Sequence, residues 1–428
     1  MLGVDMRGWR RSAAIAIAGA SLIAVVLSGC TAEGPVTVNV PTQVDATLPD
    51  ETVAEMRDAV TAAITATGST GAIVGVWAPW SGSWVSGVGT QSPGGAEVTP
   101  DLTFRAGEVT GAMTCDALYS LEADGTLSMD DPVTTWVSGL PGYEDITLRQ
   151  LCDGTSGLGS YTSILDGMVL KNPDRVWNAR ELVAYGISQP RRNAPGESFS
   201  SSATNAELAG LAVERATGES LAAVLSERVT GPLGLSATGI PSPAPATPGP
   251  SSLTGHWSQP NGEGAYDCSA PLEFSTMSSS YGGASAGAVT DIDDLGRYAQ
   301  ALATGALLPP ENDRFSAPIP VGGDQPTWFT AAGGAYQAGS LIGKFGWTPG
   351  YLVGAFADPQ TGMSVAVVLN NSAGDKNTGA WLAWQLAAIA SKAPAAAGQT
   401  MPEAGLPWTA EQMRDTIAGN AICAPPAG

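Results

Sequence analysis

Side chains able to carry out group transfer, metal binding or redox chemistry are sparse in this chain. It has one histidine among 428 residues, His256. A Ser-His-Asp triad could be built only around that residue, and a multi-histidine metal site is excluded. His256 stands in Leu253-Thr254-Gly255-His256-Trp257, beyond a Pro/Ser/Ala-rich stretch over residues 240–252. That context reads as a loop histidine packed on Trp257. No zinc chemistry, other metal site or cofactor is expected. The five cysteines are Cys30, Cys115, Cys152, Cys268 and Cys423. With Cys30 set aside for the reason below, four remain, enough for up to two disulfides in an exported protein. Three connectivities are open, of which Cys115–Cys152 with Cys268–Cys423 is preferred.

The N-terminus supplies the case for export. Arg7, Arg10 and Arg11 form a cationic start, residues 13–27 are apolar, and Leu27-Ser28-Gly29-Cys30 follows. So short an apolar run ending in small residues reads as a cleaved signal rather than a spanning helix. Leu-Ser-Gly-Cys resembles a bacterial lipobox, whose cysteine is acylated after cleavage. The expectation is a signal peptide over residues 1–29 and a lipid on Cys30. The protein would then be secreted and anchored to the outer face of the bacterial cell membrane. Two acyl chains on one cysteine give the multi-chain attachment that stable anchoring requires.

The charge balance points the same way. Formal net charge is −21, from 19 Lys and Arg against 40 Asp and Glu. Residues 1–29 hold three arginines and one aspartate, so the chain after them is near −23. Nucleic acid, which needs a basic footprint, is excluded as a partner. Docking on anionic lipid by charge is also excluded, which leaves the anchoring to the lipid. The acids are dispersed and read as a solvated surface.

The elements that must position any site are legible in outline. Residues 30–50 are polar and Pro-containing, a tether. A helix starting at Glu51 has Val53, Met56, Val60, Ala63 and Ile64 on one side. Strands over 72–77 and 83–88 follow, separated by Trp80-Ser81-Gly82. The middle reads as helical segments broken by loops, with one helix ending at residues 231–235 and another over 291–305. Strands over 351–357 and 363–369 are joined by Asp358-Pro359-Gln360-Thr361-Gly362, which has hairpin-turn chemistry. An apolar helix over 378–390 closes the unit. Such an order implies a sheet assembled from both ends of the chain. Residues 393–428 form a C-terminal extension with a short helix near 409–418.

Several blocks resemble those of the serine β-lactamase-related family, which includes class C β-lactamases and D-alanyl-D-alanine carboxypeptidases of the penicillin-binding-protein type. They are Phe104-Arg105, the run Leu121 to Val133 (LEADGTLSMDDPV), and Ile146-Thr147-Leu148-Arg149-Gln150-Leu151 with Thr155-Ser156-Gly157-Leu158. Pro195-Gly196-Glu197-Ser198-Phe199, Gly287-Ala288-Val289 and Thr348-Pro349-Gly350-Tyr351 complete the series. The resemblance implies an α/β (α+β) β-lactamase/transpeptidase-like fold over residues 51–392. Its antiparallel sheet would be flanked by terminal helices and packed beside an all-helical subdomain made from roughly residues 110–285.

The family's chemistry uses Ser-x-x-Lys, Tyr-x-Asn or Ser-x-Asn, and Lys- or His-x-Gly. The serine attacks a carbonyl, and the lysine one helical turn on takes part in moving its proton. Against those positions this sequence has Glu108 at the serine and Gly111 at the lysine. It has Ser201-Ser202-Ala203 in place of Tyr-x-Asn, and Gly154 where the family often has histidine. Lys344-Phe345-Gly346 alone retains its pattern. A carboxylate is a poor nucleophile, and Glu108 reads as a first-turn acid favoured by the helix dipole, worth ~0.3–1 kcal/mol. The cleft candidates are therefore Glu108, Ser201, Ser202, Lys344, Phe345 and Gly346, with Gly111 and Ala203 as altered catalytic positions.

The expectation is a degenerate member that binds a cell-wall peptide or an envelope protein without turnover. One alternative is an active esterase, carboxypeptidase or β-lactamase-like hydrolase using Ser201 or Ser202 with Lys344. Another is a non-enzymatic structural protein of the envelope.

Overall fold

The computed structural model describes residues 36–262, 265–403 and 405–423. The segment expected to be a signal peptide and Cys30 lie outside them. Helix α1 (Asp50–Thr67) carries Asp50 and Glu51 in its first turn, where the dipole favours acids, and ends at Gly68 in the left-handed conformation. Strands β1 (Gly71–Ala78) and β2 (Gly82–Gly89) form the first hairpin. Strand β3 (Phe104–Arg105) then leads into α2 (Val109–Ala123).

A helical block follows: α3 (Val133–Trp136), α4 (Leu148–Cys152), α5 (Thr162–Val169), α6 (Ala179–Ile187), α7 (Ala203–Thr217), α8 (Leu221–Leu225) and α9 (Gly231–Leu233). It is interrupted by the hairpin β4 (His256–Pro260) and β5 (Tyr266–Glu273), and resumes with α10 (Gly283–Ala286). Strand β6 (Val289–Thr290) pairs with β3 and precedes α11 (Ile292–Thr304). Strands β7 (Ile319–Pro320), β8 (Phe329–Ala332), β9 (Ala335–Ala338), β10 (Leu341–Thr348), β11 (Tyr351–Ala357) and β12 (Ser364–Leu369) then run to α12 (Thr378–Ala390) and α13 (Ala410–Gly419).

The eight-stranded sheet has the order β2-β1-β12-β11-β10-β9-β8-β7 and is antiparallel at every pairing. Alternation along the strands divides the core in two. Val74, Val76, Leu352, Phe356 and Val367 face α1 and α12, against Met56, Val60, Leu382 and Leu386. Ile73, Val353, Ala355 and Val368 face the other way, onto Leu295, Ala299 and Leu302 of α11 and onward into the helical block. Both faces are covered, which explains why the central strands read as continuous apolar runs.

Three expectations are corrected here. Residues 36–49 are not a free tether. The Val36 N–H donates to Pro232 O at 2.8 Å, and Ser83 N and Ala46 O pair at 2.9 Å. The Leu48 N–H donates to Ser83 O at 3.1 Å, and the Leu48 side chain is buried. This segment covers the open edge of β2, a position that sheets rarely leave bare.

The subdomain within 110–285 is not all helical, because residues 256–273 form the β4–β5 hairpin. His256 belongs to that hairpin rather than to a loop. Its ring is buried, with Nε2 2.8 Å from the Gln91 carbonyl oxygen. The C-terminal segment is part of the body: Trp408 donates from Nε1 to Trp384 O at 2.9 Å and packs on Trp328 and Trp384.

The cysteines form Cys115–Cys152 and Cys268–Cys423, with Cα separations of 5.9 and 6.1 Å. The first joins α2 to α4. A buried ion pair fixes α2 from its other side. Arg314 and Asp116 are 1% and 2% exposed and hydrogen-bonded to each other. Tyr298 of α11 donates to Asp116 Oδ2 at 2.6 Å, and Arg314 Nε donates to Gly333 O at 2.8 Å. Fully partnered charges of this kind are tolerated in a core, whereas removing one partner of such a pair costs about 3–5 kcal/mol.

Candidate active site

A cleft of about 320 Å³ opens between the helical block and the β9–β10 part of the sheet. Its walls are Glu108 and Gly111 at the start of α2, Asp166 on α5, Ser201, Ser202 and Ala203 at the start of α7, Tyr336 on β9 and Lys344 on β10. Elements far apart in sequence thus bring the expected positions together. Phe345 is the exception. Alternation along β10 turns it to the opposite face, where it is buried against Phe329 and Phe356. Gly346 does not line the cleft either. It lies under Glu108: a Cβ on Gly346 would come within 2.4 Å of the Glu108 Cβ.

The chain enters α2 through Gly107, whose φ of +56° is a left-handed conformation suited to glycine. The Thr110 hydroxyl donates back to Gly107 O at 2.8 Å and accepts from Ala288 N at 3.1 Å, which pins the turn. Glu108 occupies the N-cap position, yet its side chain makes no capping hydrogen bond. Its carboxylate leans to β10 instead of closing on the helix amides. Gly111 leaves space one turn on, since a Cβ there would meet nothing nearer than Ser285 O at 3.6 Å. At Gly154 the Phe199 ring fills the volume a side chain would take, 2.6 Å from its added Cβ.

The serines of the cleft are engaged elsewhere. Ser202 Oγ donates to Gly159 O at 2.9 Å, and Ser285 Oγ donates to Gly282 O at 2.7 Å and pairs with the Tyr161 hydroxyl at 2.8 Å. Ser160 pairs with Thr162, and Ser163 donates to Ser160 O. Ser201 neighbours the Tyr336 phenol, which burial and the Glu108 charge raise well above its ordinary value while the Ser201 hydroxyl opposes the rise. Among the described residues, no serine of this lining is hydrogen-bonded to a lysine, and Ser285 is bonded to a carboxylate, that of Glu207, through its amide at 3.2 Å.

Lys344 is half-buried, its ammonium 4.8 Å from the centroid of the Tyr336 ring. Burial lowers its pKa, and the Glu108 carboxylate pulls it back up. Asp166 was not singled out from sequence and sits in the same cleft. Burial first, and then the Glu108 charge, push its pKa up to about 6, although it accepts a hydrogen bond from Tyr281 Oη. Lys376 and Arg192 complete the charged lining, the latter donating to Ser200 Oγ at 3.3 Å.

Behind the cleft, Glu207 of α7 is fully buried and accepts from the Ser285 amide at 3.2 Å. Burial raises its pKa to about 8. Asp166, Tyr336 and Glu207 carry no local signature. Tyr336 lies on a four-residue strand after Gly333-Gly334, and Glu207 is one polar residue in an otherwise ordinary helix.

The sequence matches the family Beta-lactamase over residues 50–388. This chain belongs to the β-lactamase family. Esterase EstB of Burkholderia gladioli is 33% identical over 168 residues, covering 35% of this chain and 42% of the esterase, less than half of that relative's length. A D-stereospecific amidohydrolase from Streptomyces sp. superposes with a TM-score of 0.66 at 27% identity, over 76% of this chain and 95% of the other. A penicillin binding protein from Bacillus halodurans gives 0.59 at 18% identity, over 74% and 95%, a likeness of fold. The family is serine hydrolase-like.

Glu207 generates a stability prediction. Its folded pKa of about 8 lies above its ordinary value of 4.5. Between those pH values the unfolded chain has released this proton while the folded chain holds it. The stability it contributes is therefore lost as pH rises from about 4.5 to about 8, by up to about 1.4 kcal/mol per pH unit. Urea unfolding at pH 5, 6.5 and 8 should show a flatter decline for Glu207→Gln than for the parent. Equal slopes would contradict the assignment.

Proposed function

We propose that this chain is a lipid-anchored member of the β-lactamase family whose cleft binds a ligand without turning it over. One observation supports the reading most: no serine of the lining is hydrogen-bonded to a lysine among the described residues, and the family resemblance puts Glu108 and Gly111 where acyl transfer needs a serine and its lysine. Loss of a nucleophile alone removes several orders of magnitude in rate, and here the proton-transfer partner is gone as well. The retained Lys344 offers a cation suited to a carboxylate, which favours a cell-wall peptide or an envelope protein as the ligand. Surface attachment is read from Leu27-Ser28-Gly29-Cys30. Labelling cells with a palmitate analogue should tag the parent chain, and Cys30→Ala should be untagged and shed from the membrane. Tagging of the Cys30→Ala chain would overturn the anchor.

One observation favours a hydrolase instead. Ser201 neighbours Tyr336, and Lys344 beside that ring has a lowered pKa, the property a general base needs. The relatives named as an esterase and an amidohydrolase fit the same direction. Chromogenic esters and D-amino acid amides separate the two. The binding reading expects release no faster than the buffer control, unchanged in Ser201→Ala and Ser202→Ala. Turnover by the parent that falls at least 100-fold in Ser201→Ala would establish the hydrolase.

A further inference from the structure

The cleft holds charges of both signs that the fold leaves open. Neither the Glu108 carboxylate nor the Lys344 ammonium has a hydrogen bond or an ion pair among the described residues, and no salt bridge joins the two. Both are half-buried and both border the same cavity. Elsewhere in this protein several buried or half-buried cations are matched by acids. Arg314 with Asp116 and Arg149 with Glu122, Asp130 and Asp313 are examples. Lys344 has the Tyr336 ring beside it but no acid in a salt bridge, so two half-buried charges of opposite sign around one cavity describe the complement of a ligand that carries both.

The arrangement is also directional. Glu108 lies against Gly346, two residues along β10 from Lys344. Asp166 extends the acidic end, and Lys376 adds a second cation to the lining. Gly111 and Ala203 add no bulky side chain to the cavity wall. The cavity of about 320 Å³ is larger than a single α-amino acid needs and has room for a dipeptide.

We propose that the cleft recognises a zwitterionic short peptide, its free ammonium held at Glu108 and Asp166 and its terminal carboxylate at Lys344. The inference rests on the binding reading above and specifies what that cleft takes. The Glu108 position, occupied in active relatives by the attacking serine, becomes the anchor for the amine.

Titration calorimetry on the full chain tests it with D-alanyl-D-alanine and L-alanyl-L-alanine, their N-acetyl derivatives, and their C-terminal amides. At least one free dipeptide should bind, with at least tenfold weaker binding for its N-acetylated form and for its amide. Glu108→Gln should reduce the preference for the free amine to within twofold and keep the preference for the free carboxylate. Lys344→Met should do the reverse. Thermal melts establish that both variants are folded. Acetylated peptides binding as tightly as free ones, unchanged preferences in the variants, or no binding by either free dipeptide would each overturn the inference. Assay of free alanine in the same vessel keeps the two readings apart. Peptide cleavage with the charge preferences intact would refute binding without turnover and leave the zwitterion site standing. Absence of cleavage with the preferences missing would do the opposite.

Discussion

The antiparallel pairing of β1 with β12 is the contact on which the rest of the molecule depends. It runs from Ala72↔Leu369 to Trp77↔Ser364 and joins segments near opposite ends of the chain. Asn370 locks the end of this seam. Its Oδ1 accepts from the backbone N–H groups of Thr70 and Gly71, each at 2.9 Å, and its Nδ2 donates to Thr70 Oγ1 and Thr254 O, each at 3.0 Å. One fully buried amide thus ties together the first strand, the last strand and the segment leading to β4. Once the seam is closed, the residues between must fold back on the sheet. The start of α2 then comes to rest on β10 and creates the cleft.

How much of this could be read in advance followed from how local the signals were. Helix α12 is bounded at Thr378 and Ala390 as expected, because a long apolar run with no Gly or Pro after Gly379 has no competing conformation. Helix α11 has Asp291 accepting from Asp294 N at its start and Gly305 at its end, both recognisable stop and start residues. Strands β7 to β10 and the β4–β5 hairpin were not legible. Strands β7, β8 and β9 are only two to four residues long, β4 and β5 carry Ser and Pro, and all depend on pairing partners rather than on a local signal. The tether was misjudged for a related reason: a polar Pro-containing segment looks unstructured until an exposed strand edge is there to receive it.

The site divides along the same line. Glu108, Gly111, Ser201, Ser202, Ala203 and Lys344 were identifiable because ordered family blocks fix their positions, and all of them border one cavity. Phe345 was wrongly grouped with them, since adjacency in a motif says nothing about the face of a strand. Asp166 and Tyr336 became visible only in three dimensions. Together these residues set two acids, a lysine and the Tyr336 phenol around one cavity. Gly346 has no side chain to block Glu108, and a Cβ at Gly111 would meet only ordinary contacts, the nearest Ser285 O at 3.6 Å.

The central claim is that this scaffold keeps its cleft and does not form an acyl-enzyme. Intact-mass spectrometry after prolonged incubation with a large excess of a penicillin tests it most directly, because an adduct would be seen even if it never turned over. The account predicts a protein of unchanged mass. A stable gain equal to the penicillin, mapped by digestion to Ser201 or Ser202, would contradict it.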